Sequence, residues 1–121
     1  MTTQDVANRY YELASQSKWD EIQDEFHDEN VICQEPEHVA SRGVQVITKG
    51  KDAVRAKSIA NREMIETIHG QYCSKPTIAG NFFSVALERD VTFKNRPRVK
   101  LEEICVFQVR EGQIVLEQFF Y

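Results

Sequence analysis

Two glutamates stand among residues that otherwise read as core-bound strand, and a third follows the end of such a strand. Glu103 lies in Leu101-Glu102-Glu103-Ile104-Cys105-Val106-Phe107, Glu117 lies in Ile114-Val115-Leu116-Glu117-Gln118-Phe119-Phe120-Tyr121, and Glu35 follows Val31-Ile32-Cys33-Gln34 and precedes Pro36. A carboxylate buried on a strand costs free energy unless it is paired or used. Two of them on one apolar concave face cannot both be charged at close range without a cation, so one would be kept neutral. An ionised carboxylate facing a neutral proton donor is the equipment for moving a proton next to a carbonyl without a cofactor. Glu35, at a strand end leading to the expected cavity mouth, is the expected base. Glu103, His69 or Tyr10 is expected to supply the opposing proton or orient the ligand. His69, at the end of a long helix, is a third acid–base candidate. Tyr10, Gln34, Cys105, Phe107, Glu117 and Phe119 are expected to line the ligand space.

Each of these residues also has a plainer reading. Glu35 is equally a solvated loop carboxylate, and a register slip of one residue would turn Glu102 inward instead of Glu103. A protonated histidine at a helix C-terminus is stabilising in its own right. One of Tyr10 and Tyr11 must face inward, and a core tyrosine is the ordinary case. Cys105 reads as a small buried hydrophobe and Trp19 as core. His27 reads as the solvated end of an acidic helix. His38 beside Glu35 and Glu37 hints at a metal cluster, but no His-Glu-x-x-His or Cys/His spacing is present, so no metal is expected. The sequence lacks a Gly-rich phosphate loop, a serine elbow and a dinucleotide fingerprint, so no cofactor is expected either.

The elements that must position these groups can be read from periodicity. Thr2 or Thr3 caps a first helix with Val6, Tyr10 and Leu13 on one face. Ser17 with Asp20 marks a second start, followed by the stripe Trp19, Ile22, Phe26. Short strands are expected at 31–34 and 44–48. A helix from about Lys51 to Ile68 carries Ala53, Ala56, Ala60, Met64 and Ile68 on its face, with Gly70 as a left-handed cap. Tyr72 to Ile78, containing Pro76, reads as an edge strand. Phe83 to Phe93 alternates with period two, Asn95-Arg96-Pro97 turns the chain, and Val99 to Val109 returns. The last turn has two solutions. A two-residue loop at Glu111-Gly112 pairs Val109 with Ile114 and puts Glu103 and Glu117 on opposite faces. A three-residue loop with Gly112 left-handed pairs Cys105 with Glu117, and is preferred because the other forces Glu111 to positive φ. Ile104, Val106, Leu116 and Phe120 make the second sheet face apolar too. Three helices cover one face only, so a homodimer through the convex sheet face is expected.

The 121 residues, with 41% hydrophobic and 28% charged residues, suit a single domain spanning 1–121. A net charge of −4 without a basic cluster gives no case for nucleic acid or a membrane surface. No apolar run approaches the roughly 20 residues of a membrane helix, and the N-terminus lacks signal-peptide character. Cys33, Cys73 and Cys105 are widely spaced, which suits reduced thiols in a cytoplasmic protein.

The order helix, helix, short strands, long helix and long antiparallel strands resembles the nuclear transport factor two superfamily over essentially the whole chain. The segments Glu102-Glu103-Ile104-Cys105 and Glu117-Gln118-Phe119-Phe120-Tyr121, with Gly50-Lys51 and Phe93-Lys94, resemble a bacterial SnoaL-like group of unestablished activity. The resemblance implies an α+β, cone-shaped, cystatin-like fold: three N-terminal helices packed on a curved, mostly antiparallel sheet. Arg9-Tyr10-Tyr11-Glu12-Leu13 is similar to the helix-one segment of ketosteroid isomerase. In that likeness the base position falls on Gln34, which cannot abstract a proton. A one-residue bulge brings Glu35 there, before a proline as in the isomerase. The oxyanion position falls near Cys105, two residues from Glu103. Steroid isomerisation is therefore not implied. The expected function is binding of a small apolar organic molecule in the cone, with cofactor-free isomerase-, cyclase- or dehydratase-type chemistry. The alternative is a non-catalytic small-molecule-binding or dimeric assembly module.

Overall fold

Thr2 starts the first helix with a reciprocal capping box: its backbone N–H donates to Asp5 Oδ2 at 2.9 Å, and the Asp5 N–H donates to Thr2 Oγ1 at 3.1 Å. The computed structural model describes residues 1–121, and α1 runs Thr3–Ser15 with Val6, Ala7, Tyr10, Leu13 and Ala14 buried. Ser17 does not cap the next helix. It takes a left-handed φ of 59° to reverse the chain, and Lys18 precedes α2 (Trp19–Phe26) without a side-chain cap. Strand β1 (His27–Gln34) follows at once and is longer than its apolar core suggests. A 3-10 turn (Glu37–Arg42) leads to the short β2 (Ile47–Lys49).

Helix α3 spans Lys51–Glu63 and stops five residues short of the expected Ile68. The β-branched Ile65, Thr67 and Ile68 instead open β3 (Ile65–Cys73), which pairs antiparallel along β5. Gly70 therefore lies inside a strand and is no helix cap. The expected face of α3 is also rotated: Ala53, Ala56 and Ala60 are exposed, and Val54 is buried. Pro76 separates β3 from β4 (Thr77–Ala79), and β5 (Phe82–Phe93), β6 (Arg98–Arg110) and β7 (Gln113–Phe120) complete the sheet. The strand order is β2-β1-β7-β6-β5-β3, with β4 also pairing β5. All pairs are antiparallel except β1 with β7. The architecture is α+β, with the helices on the inner face of this open sheet.

The β6–β7 turn overturns the three-residue expectation. Arg110 pairs with Gln113 across two residues, and both have positive φ: Glu111 at 51° and Gly112 at 76°. That is the backbone signature of the tight hairpin turn that matches strand twist. The facing of the glutamates is nevertheless kept. Val109 pairs with Ile114 but Gln108 pairs with Leu116, so Val115 is an extra residue bulged out of β7. The shift pairs Phe107 with Glu117 and Cys105 with Phe119. Glu103, Cys105, Phe107, Glu117 and Phe119 thus share the inner face with Cys33, which pairs with Glu117.

Candidate functional site

The middle of the cone is aromatic. Tyr10 from α1 meets Phe107 at 4.7 Å and Phe83 at 5.5 Å between ring centroids, and Phe83 stacks on Phe107 at 4.7 Å. Each buried ring contributes roughly 1.5–3 kcal/mol of burial free energy. Burial pushes the Tyr10 hydroxyl well above its ordinary pKa, so it remains a neutral phenol. A buried polar pair lies on the same inner face: His27 Nε2 is 3.1 Å from Glu117 Oε2, with the residues 3% and 8% exposed, and His27 Nδ1 is buried without a partner. His27 is therefore not solvated. It begins β1, where the turn out of α2 points it inward, and only the partner carboxylate on a distant strand explains its position.

A second group gathers at the end of β1, where the mouth of the cone is expected. Glu35 lies one residue beyond β1, and its Oε1 accepts from Lys57 Nζ at 2.6 Å while its Oε2 accepts from the Tyr121 hydroxyl at 2.7 Å. Lys57 also reaches Cys33 Sγ at 3.5 Å. Burial alone would pull the Lys57 ammonium down, but its hydrogen bond to Glu35 and the electrostatic pull of the Cys33 sulfur and the Glu35 carboxylate raise it on balance. Burial, then the hydrogen bond to Glu35, pushes the Tyr121 hydroxyl up. Glu103 sits nearby with one weak donor, the Cys105 thiol at 3.7 Å. Burial raises its pKa above the ordinary 4.5; Arg89 opposes the shift, and Glu35 and Glu117 add to it. The thiols are inert: burial lifts Cys33 to about 12, Cys73 to about 11 and Cys105 higher still.

Of the residues expected to act, the structure brings Glu35, Glu103, Tyr10, Cys105, Phe107, Glu117 and Phe119 to the inner side. Gln34 is not among them: it pairs with Gln118 on the outer face. The one-residue offset that favours Glu35 over Gln34 follows from this alternation. His69 is also elsewhere, because its segment is strand: the exposed ring bonds Thr92 Oγ1 at 2.8 Å. His38 Nε2 bonds the Tyr121 carbonyl at 2.7 Å and steadies the residue that holds Glu35. Sequence reasoning missed Lys57 and Tyr121, the two partners of Glu35, and misplaced His27. Lys57 was hidden by the wrong face of α3: Val54 and Lys57, three apart, lie on one side of a helix. No group of three His, Cys, Asp or Glu side chains forms a metal site, and no helix is long and apolar enough to cross a membrane.

A helical layer packed on an open, mostly antiparallel sheet defines the class to which comparison assigns this chain. It belongs to the SnoaL-like domain family, whose profile matches residues 1–121. A Mesorhizobium loti structure provisionally described as a SnoaL-like polyketide cyclase is 28% identical over 100% of both chains, with a TM-score of 0.91. TerC co-crystallised with polyporic acid is 13% identical over 98% of this chain and 90% of that one (TM-score 0.77). A Catenulispora acidiphila protein with a ketosteroid isomerase-like fold, in complex with trimethylamine, is 14% identical over 100% of this chain and 87% of its own (TM-score 0.72). The latter two share the fold. No curated protein is significantly similar to the chain.

Proposed function

We propose that this single-domain chain binds a small, largely apolar organic molecule at the mouth of its cone and moves a proton next to a carbonyl, without a cofactor. The observation that carries the reading is the unequal setting of two carboxylates on one concave face. Glu35 is held as an ion pair by Lys57 and hydrogen-bonded by Tyr121, whereas Glu103 is desolvated and keeps its proton to higher pH. A carboxylate held in an ion pair is placed to act as base, and a desolvated carboxyl beside it as acid. Glu35 takes the proton from the carbon beside the carbonyl, and the Glu103 carboxyl gives its proton to the carbonyl oxygen. Return of a proton to a different carbon completes an isomerisation; attack on a second carbonyl gives an aldol-type ring closure. The half-buried Phe119 offers apolar surface to the ligand's skeleton. The small ligands in the TerC and Catenulispora structures support a binding role.

The test is deuterium incorporation next to the carbonyl of 2-tetralone, followed by NMR in heavy water. Exchange above the buffer rate is expected for the wild type, with a loss of about 100-fold in Glu35→Gln and in Glu103→Gln. Exchange equal to wild type in both variants would remove the catalytic roles.

A second reading, assembly through the outer face, has its own observation. Ile104 and Phe120 pair directly on that face and are each 48% exposed, with Phe82 on the same face 44% exposed. Such a patch suits a second copy of the sheet, giving a cytoplasmic homodimer. Sedimentation of the wild type as a dimer and of Ile104→Lys as a monomer is the expected result.

A further inference from the structure

Beside the mouth, a recess of about 30 Å³ lies between the α1–α2 junction and strands β3 and β5. Ala14, Trp19, Cys73 and Leu87 give it apolar walls, and Gln71 and Arg89 close it with polar groups. Arg89 pairs across the strands with Gln71 on one side and Leu101 on the other, which places it diagonal to Glu103 on the inner face. Its charge is felt by Glu103, yet it makes neither an ion pair nor a side-chain hydrogen bond. Arg42, Arg96 and Arg110 also lack such a partner but are exposed, so Arg89 is the half-buried arginine left unpaired. Arg9 pairs with Glu12 and Glu25, Arg55 with Asp20 and Asp24, Arg62 with Asp20, and Arg98 with Asp90. The other inward cation at the mouth, Lys57, is occupied by Glu35. The one carboxylate bordering the recess, Glu88, lies 3.7 Å from Lys100 instead. A half-buried guanidinium without a partner loses part of its hydration for nothing unless an anion completes it.

We infer that Arg89 receives an anionic oxygen group, and that the ligand of the mouth is a small apolar carboxylate whose skeleton lies against Trp19. This rests on the binding reading above and narrows it to a chemical class. The recess has room for a head group and not for a whole molecule, so the hydrocarbon part must extend past Trp19 towards Glu103. A planar fork of N–H donors suits a carboxylate better than a carbonyl, because two parallel charge-assisted bonds form at once.

The experiment compares 4-phenylbutyrate with its uncharged amide, 4-phenylbutanamide, by titration calorimetry and by the emission of Trp19, the sole tryptophan. The wild type is expected to bind the carboxylate at least 10-fold more tightly than the amide. Arg89→Met should lose that preference while still binding the amide, and Arg89→Lys should recover part of it. Equal binding of both probes by wild type and Arg89→Met overturns the assignment of Arg89 and leaves the pocket intact. Binding of neither probe by the wild type overturns the pocket reading and this inference with it. Far-ultraviolet circular dichroism and the urea midpoint establish that each variant is folded before its binding is compared.

Discussion

Glu117 and Glu103 reach the same concave face from neighbouring strands and meet opposite company. Glu117 is closed in with His27 at 3.1 Å. Glu103 stands at the mouth with a thiol at 3.7 Å and a guanidinium beyond contact. Glu117 is buried and Glu103 half-buried, but only Glu117 has its hydrogen-bonding need met by the fold. The lesson is that burial alone does not mark a functional acid: the informative acid is the one the protein desolvates without providing for it.

The largest effect should come from opening the closed pair. His27→Ala leaves the Glu117 carboxylate buried without its donor and should cost about 3 kcal/mol in urea unfolding. Glu117→Gln keeps a hydrogen-bonding group beside His27 and should cost about 1 kcal/mol. Glu103 should behave in reverse. Glu103→Gln cannot ionise, so it should lose proton exchange and gain about 1 kcal/mol over the wild type only where the pH exceeds the raised value and the wild-type carboxyl is charged. The pH dependence gives the sign independently. The folded chain holds the Glu103 proton to higher pH than the unfolded chain, where the value is near 4.5. Between those two values the folded state binds more protons, so its stability falls as pH rises through that window. The urea midpoint of the wild type, less that of Glu103→Gln, should therefore decline from about pH 4.5 upwards and level off above the raised value. A flat difference would mean that Glu103 is solvated and that the contrast with Glu117 is false. A smaller effect is expected at Tyr121→Phe, which deletes one hydrogen bond to Glu35 at the solvent edge: about 1 kcal/mol or less in stability. Its larger consequence should be slower 2-tetralone exchange, because the Glu35 carboxylate loses one of its two anchors.

How much of this was written in local pattern depends on the residue. The period-two run of β5 and the apolar face of α1 specify their own burial, because alternation and 3.6-residue spacing each encode one side. Glu35, Glu103 and Glu117 were visible for the same reason: a charge at an inward position breaks the pattern. His27, Lys57 and Tyr121 were not, since each owes its place to a partner distant in sequence: 90 residues for His27 with Glu117, 22 for Lys57 with Glu35, 86 for Tyr121 with Glu35. The segment 65–70 misled in another way. Its residues extend a helical stripe on paper, but pairing along β5 offers more hydrogen bonds than an isolated extra turn of α3, and tertiary pairing overrides the weak local preference.

The facing of Glu103 and Glu117 towards one hollow depends on the extra residue Val115, and the turn beside it provides the mildest and most discriminating test. Glu111 was expected to avoid a left-handed backbone and instead adopts φ 51°. The strain is tolerated because a two-residue loop follows the strand twist, and the bulge at Val115 then returns the ladder to a register in which every inward residue of β7 is buried or paired. If the bulge sets the register, relieving the turn should change stability without moving the glutamates. Asparagine accepts a left-handed φ more readily than glutamate, so Glu111→Asn should gain about 0.5 kcal/mol in urea unfolding. In that variant the side-chain NMR signals of His27, which report its contact with Glu117, should be unshifted, and the pH dependence assigned to Glu103 should be retained. Displacement of the His27 signals would show instead that the turn dictates the pairing, and that the two-residue loop without its bulge would carry Glu117 to the outer face.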